Sequence, residues 1–135
     1  MTQLIDLKKY GPAAIVTGAS SGIGRSYATL LAQAGFDLLL PARRIDRLKD
    51  LAETLQSSYG VSVLPLEVDL NSTQAVATIF DAAATMDIGL LVNNAGFRDA
   101  GPFQDIDPAR VESMIDVNDK LPVLLTQQMI PRLLE

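Results

Sequence analysis

One stretch of this 135-residue sequence is dense in chemical possibility: Thr-Gly-Ala-Ser-Ser-Gly-Ile-Gly, Thr17–Gly24, directly behind the apolar run Ala13–Val16. Glycines this closely spaced, between an apolar run and a helical pattern, suit a backbone that receives phosphate. At a strand-to-helix junction the helix N-terminus offers unpaired N–H groups and the positive end of its dipole. Gly18 would permit the tight turn, Gly22 would let the backbone approach a pyrophosphate, and Gly24 would let the helix pack closely on the sheet. Ser20, Ser21 and Ile23 complete the candidate loop. The competing reading is a glycine-rich turn that binds nothing, which the strand–loop–helix context disfavours.

Composition removes many other chemistries. There is no cysteine and no histidine, so disulfides, thiolate catalysis, a histidine-based triad and a zinc site built on either residue are excluded. The net charge is −5 and no Lys/Arg block is present, which argues against nucleic acid as a partner. No apolar stretch approaches the ~20 residues that span a bilayer. Asp6, Lys8 and Lys9 stand where a signal peptide would carry its apolar core, so the plain expectation is a cytoplasmic protein.

The loop needs elements to hold it, and the pattern supplies them. Apolar strand-like runs at 13–16, 36–41, 61–68 and from 88 into the exit loop at 96 alternate with helical periodicity. Ile23, Tyr27, Leu30, Leu31 and Ala34 fall on one face of a first helix that stops at Gly35. Leu48, Leu51, Ala52 and Leu55 mark a second, closed by Gly60. Val76, Ile79, Phe80 and Ala83 mark a third, with Asn71 or Ser72 as its cap. Asp107-Pro108 reads as an N-cap with proline at the first helical position, opening a helix through Val111, Met114 and Ile115. A further helical segment runs from about Leu121 to the end. Strands joined by helices make a parallel sheet with helices on both faces, and continuous apolar strands fit burial on both sides. The expected fold is one Rossmann-like, doubly wound α/β domain.

With these elements in place, the chain resembles the short-chain dehydrogenases/reductases. Thr17–Gly24 matches the family's TGxxxGxG loop, and Asn-Asn-Ala-Gly at 93–96 matches its second signature, after the fourth strand. Val68-Asp69-Leu70 and Val117-Asn118 match two further segments in the right order. The resemblance implies strand order 3-2-1-4 and a dinucleotide cofactor. It implies that Asp69 accepts from the adenine amino group while Leu70 offers its backbone N–H. Asn93, Ala95 and Gly96 would line the ribose, and Thr17 would tie the first strand to the fourth. Asn118 would hold a water of the proton relay at a kink in its helix. Blander readings stand beside these: Asp69 as a turn acid, 93–96 as a strand-end turn, Asn118 as a polar helix breaker. Asp119 departs from the apolar residue that more often follows this asparagine, and a carboxylate buried there without a partner would be costly.

The second strand ends in Pro41-Ala42-Arg43-Arg44, with no acid before Asp46. An acid there would accept from a ribose 2′-OH and repel a 2′-phosphate. Arg43 can instead present a guanidinium fork to a phosphate, with Ser20 as a second donor, so NADP is the expected cofactor. The alternative is a pair of solvated charges opening a helix, where a cation opposes the dipole.

The family's catalytic tyrosine carries a lysine four residues later, on the same helical face, and works with a serine. Here Tyr10 is followed at that spacing by Ala14, Tyr27 by Leu31 and Tyr59 by Val63. The expectation is one NADP-binding domain over 1–135, cut before the catalytic half. Three roles remain open: the N-terminal part of an NADP-dependent reductase or dehydrogenase, a free-standing NADP-binding sensor, and an interaction half completed by a second chain. The uncovered strand around Leu90-Leu91-Val92 and the apolar last helix predict a homo-oligomer or a complementary chain.

Overall fold

The computed structural model describes residues 5–135. Four parallel strands, β1 (Ala13–Val16), β2 (Asp37–Ala42), β3 (Val63–Glu67) and β4 (Ile88–Val92), lie in the order β3-β2-β1-β4. Around them are α1 (Leu7–Tyr10), α2 (Gly22–Gln33), α3 (Ile45–Tyr59), α4 (Ala75–Ala82), α5 (Pro108–Ile115) and α6 (Leu121–Leu133). A π-helical turn, Asp116–Lys120, joins the last two.

Successive strand residues point to opposite faces, and each face meets its own helices. Ala14, Val16, Leu38 and Leu40 pack with α2 and α3. Ala13, Ile15 and Leu39 pack with α4 and α6. This two-sided burial is why the central strands read as unbroken apolar runs. Pro41 is tolerated inside β2 because β1 has already turned into its loop there, where the Gly18 N–H reaches the Pro41 carbonyl at 3.2 Å.

Helix α2 differs from the sequence pattern. Its buried residues are Gly24, Ala28, Leu31 and Ala32, while Ile23, Tyr27 and Leu30 are exposed. Close approach to the sheet selects small side chains, and the larger apolar ones are turned outward. A methyl group on Gly24 would run into the Gly18 carbonyl and the Asn94 side-chain amide.

Two helix starts follow different rules. Asp107 caps α5 as expected: its Oδ1 accepts from Ala109 N at 2.9 Å, with Pro108 in the first turn. Neither Asn71 nor Ser72 is the N-cap of α4, which is Gln74. Ser72 Oγ instead accepts from Gln74 N at 3.1 Å in the preceding turn, and the Asn71 amide donates to Ser113 Oγ at 3.1 Å on α5. The third strand is shorter than the apolar run at 61–68 suggests.

Among the described residues β4 pairs with β1 alone, so its outer edge is open. Its register slips between Ala13 and Ala14, opposite Gly89, where a side chain would strike the Tyr10 carbonyl. Helix α6 is covered on one side only: Leu121, Leu125 and Met129 are buried, while Val123, Leu124 and Ile130 face out. Arg132 stacks 3.9 Å from the Phe80 ring centre and joins α6 to α4. Asp119 is exposed, so the desolvation cost raised by its sequence position does not arise. No helix among the described residues is long and apolar enough to cross a membrane.

Candidate functional site

The loop after β1, the end of β2 and the turn after β3 surround a cleft of about 610 Å³. Gly18 and Gly22 hold φ at +68° and +59°, in the left-handed region that side chains resist. Their surroundings differ. A Cβ on Gly18 would lie 2.8 Å from the Ala95 Cα, whereas one on Gly22 would meet nothing within 4 Å. Gly18 therefore packs against protein, and Gly22 leaves an open cradle at the start of α2. Ser20 is buried beside the cradle, Ser21 is the α2 N-cap without a side-chain cap bond, and Ile23 borders the cleft.

Thr17, 1% exposed, locks this loop to the exit of β4. Its Oγ1 accepts from Asn94 N at 3.1 Å and Ala95 N at 3.0 Å, and donates to the Val92 carbonyl at 3.5 Å. The Asn94 amide returns the contact, donating to the carbonyls of Thr17 at 3.1 Å and Gly18 at 3.2 Å. The tie between first and fourth strands is thus present. Of the two adjacent asparagines, it is Asn94 that borders the cleft, with Ala95 and Gly96. Asn93 does not: side chains alternate along the extended exit of β4, and its amide turns away to donate to Thr126 Oγ1 on α6 at 2.9 Å.

Arg43 and Arg44 follow β2 directly and both line the cleft. Arg44 Nη2 donates to Ser21 Oγ at 3.3 Å, while the Arg43 guanidinium has no protein partner among the described residues. Asp69 and Leu70 line the same cleft. Asp69 also serves as the turn acid, its Oδ1 accepting from Asn71 N at 3.0 Å. One carboxylate oxygen shapes the turn, and the other has no hydrogen-bond partner among the described residues.

Asn118 sits in the π-helical turn, where Leu121 N–H reaches back five residues to the Asp116 carbonyl. The Asn118 side chain is exposed and does not line the cleft. Its Oδ1 accepts from Phe97 N at 2.9 Å and its Nδ2 donates to Phe97 O at 2.8 Å. Both polar atoms are thereby engaged in pinning the segment after β4.

Sequence reasoning missed Arg110. From α5 it reaches Asp99 through Nε at 2.9 Å and Nη2 at 3.1 Å, with its guanidinium 4.7 Å from the Phe97 ring centre. The Arg110 hydrogen bond holds the Asp99 carboxyl below its ordinary value, and the same pairing raises Arg110. Nothing in the local pattern marks an arginine one turn inside a helix as a cleft residue. Among the described residues no cluster of side chains could hold a metal ion.

A glycine-rich loop between β1 and α2, in a parallel sheet of order β3-β2-β1-β4 with its cleft at the strand ends, defines a Rossmann-like α/β protein. The family description "short chain dehydrogenase" matches residues 12–135, and the chain belongs to that family. It is 36% identical over 129 residues to very-long-chain 3-oxoacyl-CoA reductase-A of Danio rerio, covering 93% of this chain and 40% of that one. It is 41% identical over 124 residues to sulfoacetaldehyde reductase 2 of Chromohalobacter salexigens, covering 90% and 48%. Among solved structures, a short-chain dehydrogenase from Sphingobium yanoikuyae in complex with NADPH superposes with a TM-score of 0.85 at 37% identity, covering 90% of this chain and 48% of that one. The chain spans less than half the length of each of these relatives.

Proposed function

We propose that this chain is the NADP(H)-binding half of an oxidoreductase that moves a hydride between the nicotinamide and a carbonyl or alcohol carbon. One observation carries the reading: the open Gly22 cradle leads along the cleft to Arg43, a guanidinium without a protein partner, where β2 ends without a carboxylate. The residues fit such a group. The cleft of about 610 Å³ falls within the ~300–1,000 Å³ usual for small-molecule sites. The α2 N-terminus and Gly22 would receive the pyrophosphate. Arg43, with Ser20 nearby, would hold the 2′-phosphate through a charge-assisted fork. Asp69 and Leu70 would take the adenine, and Ala95 and Gly96 would leave room for a ribose. When bound, the cofactor supplies the hydride. A proton donor must come within hydrogen-bond reach of the reacting oxygen, and neither tyrosine nor lysine lines this cleft among the described residues. The chain's own share is therefore binding and orientation, and Asn118 contributes by fixing Phe97.

Fluorescence titration with NADPH and NADH tests this. Arg43→Asp should weaken NADPH binding by at least ~2 kcal/mol and NADH binding far less. Equal losses for both would overturn the assignment of Arg43. The chain alone should reduce no carbonyl above background, and turnover of roughly 1 per second or faster would overturn the division of labour.

A further inference from the structure

Arg43 and Arg44 enter the cleft from the segment after β2, and Arg110 enters it from α5. Its place follows from α5. Ser113, three residues on and so on the same helical face, meets Asn71, which directly follows Asp69 and Leu70. Arg110 is thereby carried toward the base end of the cleft. Its side chain is half exposed but held by two neighbours. Asp99 grips Nε and Nη2, and the guanidinium carbon lies over the Phe97 ring, 4.7 Å from its centre. Phe97 is itself held through both backbone groups by Asn118. The bidentate pairing with Asp99 cancels most of the charge, so the group is poorly suited to a further phosphate. What remains is a flat, oriented, nearly neutral surface with Nη1 free of the Asp99 pair. Such a surface suits a flat heteroaromatic ring with acceptor nitrogens.

We propose that Arg110 is a positioning and specificity residue for the purine of the dinucleotide, opposing Asp69 across the base. The inference rests on the NADP(H) reading. Asp69 accepts from the exocyclic amine, and Arg110 offers stacking or N–H donation to the ring nitrogens. Asp99 acts through Arg110 by fixing its plane.

The test compares wild-type protein with Arg110→Ala, Arg110→Lys and Asp99→Asn. NADPH, 2′,5′-ADP and reduced nicotinamide mononucleotide serve as probes at low and high salt. Arg110→Ala should weaken NADPH and 2′,5′-ADP about tenfold. Affinity for the mononucleotide, which lacks the purine, should not change. The loss should be insensitive to salt, and Asp99→Asn should give a smaller loss of the same sign. Should the alanine variant fail to fold, Arg110→Lys gives the reading, because it keeps a cation for Asp99 but loses the planar fork. A wild-type protein that does not bind NADPH removes the cofactor reading and this inference with it. Wild-type binding with unchanged affinity for 2′,5′-ADP in the variants overturns this inference alone. Two further outcomes overturn it: equal losses on the mononucleotide would mean a structural role, and a salt-dependent loss would mean a phosphate contact.

Discussion

A single methyl group should separate the fates of Gly22 and Gly24. Alanine at Gly22 meets open space, so its cost is the left-handed backbone alone, about 1–2 kcal/mol, with the fold kept and the phosphate cradle spoiled. Alanine at Gly24 strikes the Gly18 carbonyl and the Asn94 amide, so stability itself should fall by more than ~2 kcal/mol. Urea unfolding and NADPH titration of both variants check the contrast, and equal stability losses would contradict it. Asp99 adds a pH dependence whose sign is fixed. Its carboxyl is depressed below 3.8 by Arg110, so the pair contributes fully above that value and is lost as pH falls through the lower folded one. The stability difference between wild type and Asp99→Asn should be constant near neutrality and shrink only below about pH 3.8. A difference that changes between pH ~5 and ~7 would locate the titrating group elsewhere. At this scale the glycine loop was legible, because glycine reports a backbone requirement directly. Asn93 and Asn94 were not. Adjacent identical side chains diverge by strand alternation, and one residue of phase decides which faces the ligand. Arg110 was invisible because only the folded α5 brings it to the cleft.

The π-helical turn is the element on which the cleft's far wall depends. Asn118 clamps both backbone groups of Phe97 and so anchors the irregular segment that carries Asp99. Asn118→Ala should cost about 1 kcal/mol and leave the sheet unchanged. Amide exchange at Phe97 should accelerate, because its N–H loses its acceptor, and hydrogen-exchange mass spectrometry reads this directly. Unchanged protection there would show that the helix, rather than the asparagine, holds the segment. The elements themselves were legible from breakers and apolar runs: Gly60 at the end of α3, Asp107-Pro108 at the start of α5. The orientation of α2 was not. A hydrophobicity pattern weights Ile23, Tyr27 and Leu30 as core, but a helix lying close on a sheet buries its smallest residues. Tertiary distance decided that face, and the sequence pattern does not encode it.

For the whole molecule, three apolar surfaces lie open at once. Ile23 is 71% exposed at the head of the α2 stripe with Tyr27 and Leu30, and Val123 is 66% exposed on α6 near Ile130. The third is the unpaired edge of β4, without proline or charge to blunt it. Patches of this kind mark contacts with other protein. The isolated chain should therefore self-associate, take a partner or come out of solution. Light scattering at micromolar concentration checks this, and a stable, well-folded monomer would refute it. The strand order 3-2-1-4 also sets a schedule. The bond from Asp37 N to the Pro12 carbonyl, where the β1–β2 pairing begins, joins residues 12 and 37, while the bond from Asn94 N to Thr17 spans 77. At ~5–20 residues per second on the ribosome, β1 waits roughly 3–10 seconds longer for its second neighbour than for its first. Through that interval the Thr17 hydroxyl has no Asn94 to answer it. The nascent chain holds a half-sheet with an unfinished phosphate loop. On the NADP(H) reading proposed above, competence to take up a nucleotide would be a late event in the chain's life, reached only when residue 94 has been made.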